Sequence, residues 1–222
     1  MSNHKIRTLD NLSLQEFDAE TELIPLLTPE DEEEMNNEDL PESLSILPLR
    51  NMVLFPGVVI PITAGRDKSI KLINDAYAAG KIIGVVAQKN EDVEDPTKND
   101  IHNIGTVARI LRVLKMPDGN VTVILQGKKR FQIESVVSET PYFTANIKDV
   151  SEKRPTKKDT EFLAILDSVR ELAIQIIKEN PNIPSEATFA IKNIESQSFL
   201  INFVTSNMSL SVEEKQNLLS IN

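Results

Sequence analysis

The chain has no cysteine and no tryptophan among its 222 residues, and only two histidines. Without cysteine there is no disulfide framework and no thiolate metal site. His4 lies in an acidic stretch and His102 in a polar one, so neither a Ser/His/Asp arrangement nor a histidine-based metal site is indicated. Aromatics make up 5% of the chain, so a core has to be assembled from Ile, Leu and Val, and 40% hydrophobic residues suffice for one. No apolar run approaches the roughly 20 residues of a membrane span, and no apolar signal core opens the chain. These absences point to a soluble, cytoplasmic protein without a membrane partner.

A phosphate-binding loop is missing too. It needs a glycine-rich turn ending in Gly-Lys-Ser/Thr. The nearest approach is Gly127-Lys128-Lys129, where Thr122 stands in the place of the first glycine and no hydroxyl residue follows Lys128. No local pattern supports a Ser–Lys pair. Glu91, Asp92, Glu94, Asp95 and Asp100 are cation-ligand types, but in a polar loop they read as a solvated face. The expectation is no catalytic residue, no metal and no cofactor in this chain.

The net charge of −10 is unevenly spread. The first 45 residues hold two basic and thirteen acidic residues, leaving twenty-two basic and twenty-one acidic for the remainder. The acidity sits in a tail and the rest is nearly neutral, which does not favour nucleic acid as a partner. Residues 1–43, with the run Glu30-Asp31-Glu32-Glu33-Glu34, read as a disordered acidic tail. Leu23 to Leu27 form a small apolar patch in it, a docking segment at most.

The organising stretch is Ser45 to Arg66. Two β-rich pieces, Ile46–Leu49 and Val58–Ile62, flank an apolar run, Met52 to Phe55, and a Pro56-Gly57 corner, and are expected to form one compact β unit. Asp67 to Gly80 has helical spacing, with Asp67 as the expected cap and Gly80 as the stop. Strands are expected at 81–88, 105–116, 121–125, 131–137 and 142–150. Pro117-Asp118-Gly119 makes a hairpin turn between the second and third of these. Residues 44–151 thus form a β-rich lobe, a mixed barrel or sandwich with one early helix. Charged Ser151–Lys158 marks a linker.

Residues 155–222 read as a helical lobe, which makes the fold class α+β. Thr160 to Lys178 carries a wide apolar stripe, stopped at Asn180-Pro181. Shorter helices follow at 185–193 and 196–206, with Phe189, Phe199 and Phe203 expected in the core. Ser211-Val212-Glu213-Glu214 is a capping box that opens a last helix. That helix runs to the final residue without a stop signal, the pattern of a chain truncated inside it.

Met52, Leu54 and Phe55 are the candidate binding residues. Beside a Pro-Gly corner such side chains are open to an adaptable grip on apolar peptides. The competing reading places each in a core strand. Arg109, Arg112, Lys115, Lys128, Lys129 and Arg130 gather on or near the hairpin, but with Phe131 alone beside them they lack the aromatics that single-strand binding uses.

The segments LPLRNMVLFPGVVIPITAGR (47–66), GRDKSIKLI (65–73), GTVARILRVLKMPDGNVTVILQGKKRF (105–131) and VEEKQNLL (212–219) resemble the amino-terminal, substrate-binding domain of the Lon family of ATP-dependent serine proteases. The resemblance implies a PUA-like β lobe and a helical lobe. It also implies capture of unfolded or damaged protein substrates and self-association within a homohexameric ring. ATP and Mg are implied for the full-length protein, and its catalytic Ser and Lys lie outside this stretch. Two other readings stay open. One is a free-standing binding module of the same fold. The other is a PUA-like RNA-binding protein, which rests on fold analogy.

Overall fold

The computed structural model describes residues 27–150, 159–180, 183 and 186–221. Its elements run α1 (Pro29–Asn37), β1 (Ser43–Leu49), β2 (Val59–Ala64), α2 (Asp67–Ala79), β3 (Ile82–Ala87), β4 (Ile104–Lys115), β5 (Val121–Ser138), β6 (Thr144–Asp149), α3 (Thr160–Glu179), α4 (Glu186–Asn193), α5 (Gln197–Asn207) and α6 (Val212–Ser220). The six strands form one sheet in the order β2-β5-β4-β3-β1-β6. The α+β class agrees with the sequence.

β5 organises the sheet. The two expected strands at 121–125 and 131–137 are one strand of 18 residues, because Gly127 to Arg130 continue it without a break. Its first part pairs with β2, from Val121↔Ala64 to Gln126↔Val59. Its second part pairs on the same side with β6, from Phe131↔Asp149 to Ser138↔Thr144. The other side is taken by β4 from Val121 to Gln132. Because β4 pairs with β3, β3 with β1 and β1 with β6, five strands form a closed circuit of pairings, with β2 added outside it.

The expected β unit from the two sides of the Pro-Gly corner does not form. β1 runs parallel to β3 while β2 runs antiparallel to β5, so the corner links distant strands. β3, reading IIGVVA, is buried almost throughout, as a central strand between two neighbours should be. The β4–β5 turn follows its sequence signal. Gly119 takes φ +88°, and Met116 N–H donates to the Asn120 carbonyl at 2.9 Å.

Alternate residues of the strands feed two cores. Leu47, Leu49, Ile83, Val85, Ile110, Val123 and Leu125 pack with Leu72 and Ile73 of α2. Leu44, Ile46, Val86, Val107, Phe131, Ala145 and Ile147 make the other. α2 ends at Gly80 as expected, but Asp67 is its first helical residue and Arg66 stands at the N-cap without a side-chain bond. An acidic residue in the first turn still favours the helix dipole.

The helical expectations hold closely. α3 starts with the Asp159 carboxylate accepting from Phe162 N–H and ends at Asn180. Ser196 caps α5, and the Ser211/Glu214 box caps α6. Two expectations need correction. Phe199 is buried and Phe203 half-buried, but Phe189 is 70% exposed. And residues 29–37 of the acidic tail are a helix: Pro29 begins it, and Thr28 and Asp31 exchange bonds in a capping box. Three acidic residues in the first turn suit the positive end of the helix dipole, so composition that reads as solvated is here locally helical. Residues 1–26, with most of the expected tail and of the Leu23–Leu27 patch, and the expected linker at 151–158 lie outside the described residues.

Candidate binding surface

Between β1 and β2 the chain runs extended, and its side chains alternate between two interiors. Leu54 joins the strand core, with Met52 half-buried against it. Val53 and Phe55 face the other way, into a third core. There they meet Leu166 of α3, Ile191 of α4, Phe199 and Leu200 of α5 and Leu219 of α6. Leu54 and Phe55 are each 2% exposed, so the open apolar surface expected at Met52, Leu54 and Phe55 is absent from this conformation. The physical reason is a second layer. A strand-like segment covered on both faces buries odd and even positions alike, and the helical lobe supplies the cover.

The backbone fit is close. Thr106 Oγ1 donates to the Leu54 carbonyl at 2.6 Å, and Gly57 and Gly127 accept and donate across the gap, Gly57 N–H to the Gly127 carbonyl and Gly127 N–H to the Val58 carbonyl, each at 2.9 Å. A Cβ on Gly127 would lie 2.3 Å from the Phe55 carbonyl oxygen. Gly57 holds φ +78°, and a Cβ there would lie 2.6 Å from Phe199 Cδ2. The Pro-Gly corner is thus the seat of α5, a role that a turn signal alone does not reveal.

The basic candidates divide. Arg109, Arg112 and Lys115 are exposed along β4. Lys128, Lys129 and Arg130 serve the fold. Lys128 Nζ donates to Glu38, and burial pushes its ammonium below its ordinary value. Lys129 Nζ reaches the Asn36 carbonyl at 3.1 Å and Asp149 at 2.9 Å. Arg130 Nη1 donates to the carbonyls of Leu219 at 2.9 Å and Ile221 at 2.5 Å, fastening the end of α6 to β5. Half of the basic set is therefore spent inside the molecule, which leaves little of the continuous basic face that nucleic acid requires.

No catalytic arrangement is assembled among the described residues. His102 is half-buried; burial, reinforced by Lys89, holds its imidazole below the ordinary value against the opposing Glu213. The loop carboxylates are engaged locally. Asp95 pairs with Lys68 at 2.8 Å, and Asp100 accepts from Thr97 N–H and Oγ1. Among the described residues no three His, Asp or Glu side chains are placed to share a metal ion, and no helix is long and apolar enough to cross a membrane.

The exposed apolar surface is elsewhere. α3 buries Leu166 and half-buries Phe162, Ala173, Ile174 and Ile177 against the third core. An adjoining face leaves Ile165, Leu172 and Ile176 at 57, 59 and 61% exposure. Leu172 and Ile176 line an open hollow with Gln175, Glu179 and Asn180. The neighbouring α4, held by Arg170 through the Ile191 and Ile194 carbonyls, adds the exposed Phe189. The wide apolar stripe on α3 is legible in the sequence, but which part of it stays uncovered is not.

Comparison with known proteins bears on this surface. The family model for the ATP-dependent protease La (LON) substrate-binding domain matches residues 43–222. The Lon protease of Flavobacterium johnsoniae is 83% identical over 222 residues, all of this chain and 27% of the relative. That of Cytophaga hutchinsonii is 50% identical over 198 residues, covering 89% of this chain and 24% of the relative. The chain thus spans about a quarter of the length of these curated relatives. In three dimensions it is similar to the N-terminal domain of the Mycobacterium avium complex Lon protease, with a TM-score of 0.65 at 21% identity, covering 81% of this chain and 90% of that one. A Lon N-terminal domain protein from Xanthomonas campestris gives 0.53 at 17% identity, with the same coverage. These structural likenesses speak to the fold, and the family match spans every element from β1 to α6: the chain belongs to the family of the Lon substrate-binding domain.

Proposed function

We propose that this chain recognises unfolded or damaged protein segments on behalf of a cytoplasmic, Lon-type ATP-dependent serine protease, and helps order its homohexameric ring. ATP and Mg act in the remainder of such a protease, and this chain contributes binding. Its five-strand circuit of pairings supports reading the β lobe as a small PUA-like barrel, as the family resemblance implies. The observation that carries the binding reading is the uncovered apolar face of α3, Ile165, Leu172 and Ile176, in a family named for substrate binding. Unfolded chains differ from folded ones in offering apolar side chains, and a flexible apolar patch takes many of them weakly. Six such patches around a ring gain strength through effective concentration. With Leu54 and Phe55 interior, of the first candidates Met52 keeps partial access and the contact surface shifts to α3.

The test is binding of a labelled, permanently unfolded protein, such as a reduced and alkylated one, to the chain and to Leu172→Asp/Ile176→Asp. The double variant is expected to bind at least about tenfold more weakly, roughly 1.4 kcal/mol, with its unfolding midpoint little changed. Equal binding by both proteins would overturn the assignment to α3. No binding of unfolded protein, with steeply salt-dependent binding of an RNA oligomer, would overturn the substrate reading itself.

A further inference from the structure

The described chain begins with a segment that the matched family span, 43–222, does not include. Leu27 is buried in the third core, its Cδ2 close to where a Gly57 Cβ would stand. After it α1 crosses the boundary between the lobes. Glu32 accepts from the hydroxyl of Ser196, the cap of α5. Glu38 takes Lys128, and the Asn36 carbonyl at the end of α1 takes Lys129. Met35 packs against the core without being buried, and α1 has no buried residue of its own.

This is a thin attachment. A nine-residue helix is too short to be stable alone in water, so α1 persists through what it touches. What fastens it is the adjoining anchor Leu27, the side contact of Met35, a hydroxyl and two lysines. Beneath it the two lysine side chains are about one-tenth exposed: Lys129 keeps Asp149 of β6 as its carboxylate, whereas the carboxylate on Lys128 is Glu38 of the segment itself. The ground it covers is therefore apolar at one end and cationic at the other, between β5 and α5.

We infer that Leu27–Glu38 is a removable strap over a peptide-binding groove, and that the groove takes an external segment of the same chemistry, an apolar anchor followed within about ten residues by carboxylates. Phe199 and Gly57 receive the anchor, Ser196 and Lys128 the carboxylates. In the closed state the chain occupies its own groove, and an incoming segment has to displace the strap, which lowers its apparent affinity by the fraction of molecules that are open. The identity of the ligand as a substrate segment rests on the function proposed above; the existence of the groove does not.

The test uses the full chain with a protease site placed at Asp39-Leu40, cut after folding so that the strap can be washed away, removal being followed by mass and folding by circular dichroism. The probe is a labelled peptide with an apolar residue and carboxylates at the spacing of Leu27, Glu32 and Glu38 but an otherwise unrelated sequence. The opened chain is expected to bind it at least tenfold more tightly than the uncut chain. That gain should shrink severalfold when the peptide's apolar residue is Ser, or when the opened chain carries Lys128→Met. A second route, uncut Leu27→Ser/Glu38→Gln, should give an intermediate affinity. Equal binding by closed and opened chain, no binding by a folded opened chain, or indifference to both the anchor and Lys128 would overturn the inference. Failure of the substrate reading shows separately, as an unfolded protein that binds neither form while the peptide result stands.

Discussion

Along β3, Ile83, Val85, Val86 and Ala87 are all buried; along α3, twenty residues long, Leu166 alone is. Both segments are rich in aliphatic residues. The difference lies in how many neighbours each has. β3 is paired on both edges and covered on both faces, so every side chain finds an interior. α3 packs through one side and leaves a second apolar side to solvent. Hydrophobic content thus measures what a segment offers, and the number of covering layers decides how much is used. Val53 to Phe55 makes the same point within one short run, since it lies between two layers and has no free face.

That contrast can be tested by truncation. Phe131, fully buried beneath the strand circuit, should cost about 3–5 kcal/mol when replaced by Ala, whereas Leu172→Ala should stay within about 0.5 kcal/mol. Denaturant unfolding of both variants checks this, and comparable losses would mean that α3 has a partner in solution. Gly57→Ala probes the join between the regions. Its positive φ and the 2.6 Å approach to Phe199 predict a loss of about 1–3 kcal/mol, with tertiary signals from the helices changing before those of the strands. Ser211→Ala removes the cap of α6 and should cost about 1 kcal/mol; no loss would show that Arg130 holds that helix without its cap.

The smallest expected effect is one of pH. Hydrogen bonds from the Thr28 and Ser211 hydroxyls hold the Asp31 and Glu214 carboxyls below their ordinary values of 3.8 and 4.5. Groups with lowered values stabilise the fold at pH above the ordinary ones, and that stabilisation is lost as pH falls through the lowered ones. Amide exchange should therefore rise first at the starts of α1 and α6 on acidification below pH 4.5. The start of α2, where Arg66 caps without a side-chain bond, should show no matching change.

Much of the fold was legible in the residues. Pro117-Asp118-Gly119, Asn180-Pro181 and the Ser211/Glu214 box each act locally, so a local reading finds them. What failed was non-local. That Gly127-Lys128-Lys129-Arg130 continues a strand depends on β4 lying beside it. That Phe55 is interior depends on helices more than a hundred residues away, and that Leu54 is interior depends on strands and α2 closing over its other side. That Glu30 to Glu34 is helical depends on a cap two residues earlier and on lysines in β5, which an acidic composition conceals.

The guanidinium of Arg130 fixes more than the position of α6. Arg130 stands opposite Thr106 on β4, and the next residue stands opposite Asp149 on β6, so its backbone is gripped from both sides. It holds the last described carbonyls of the chain. A pull at that end would therefore reach the middle of the longest strand, at a point paired on both of its edges.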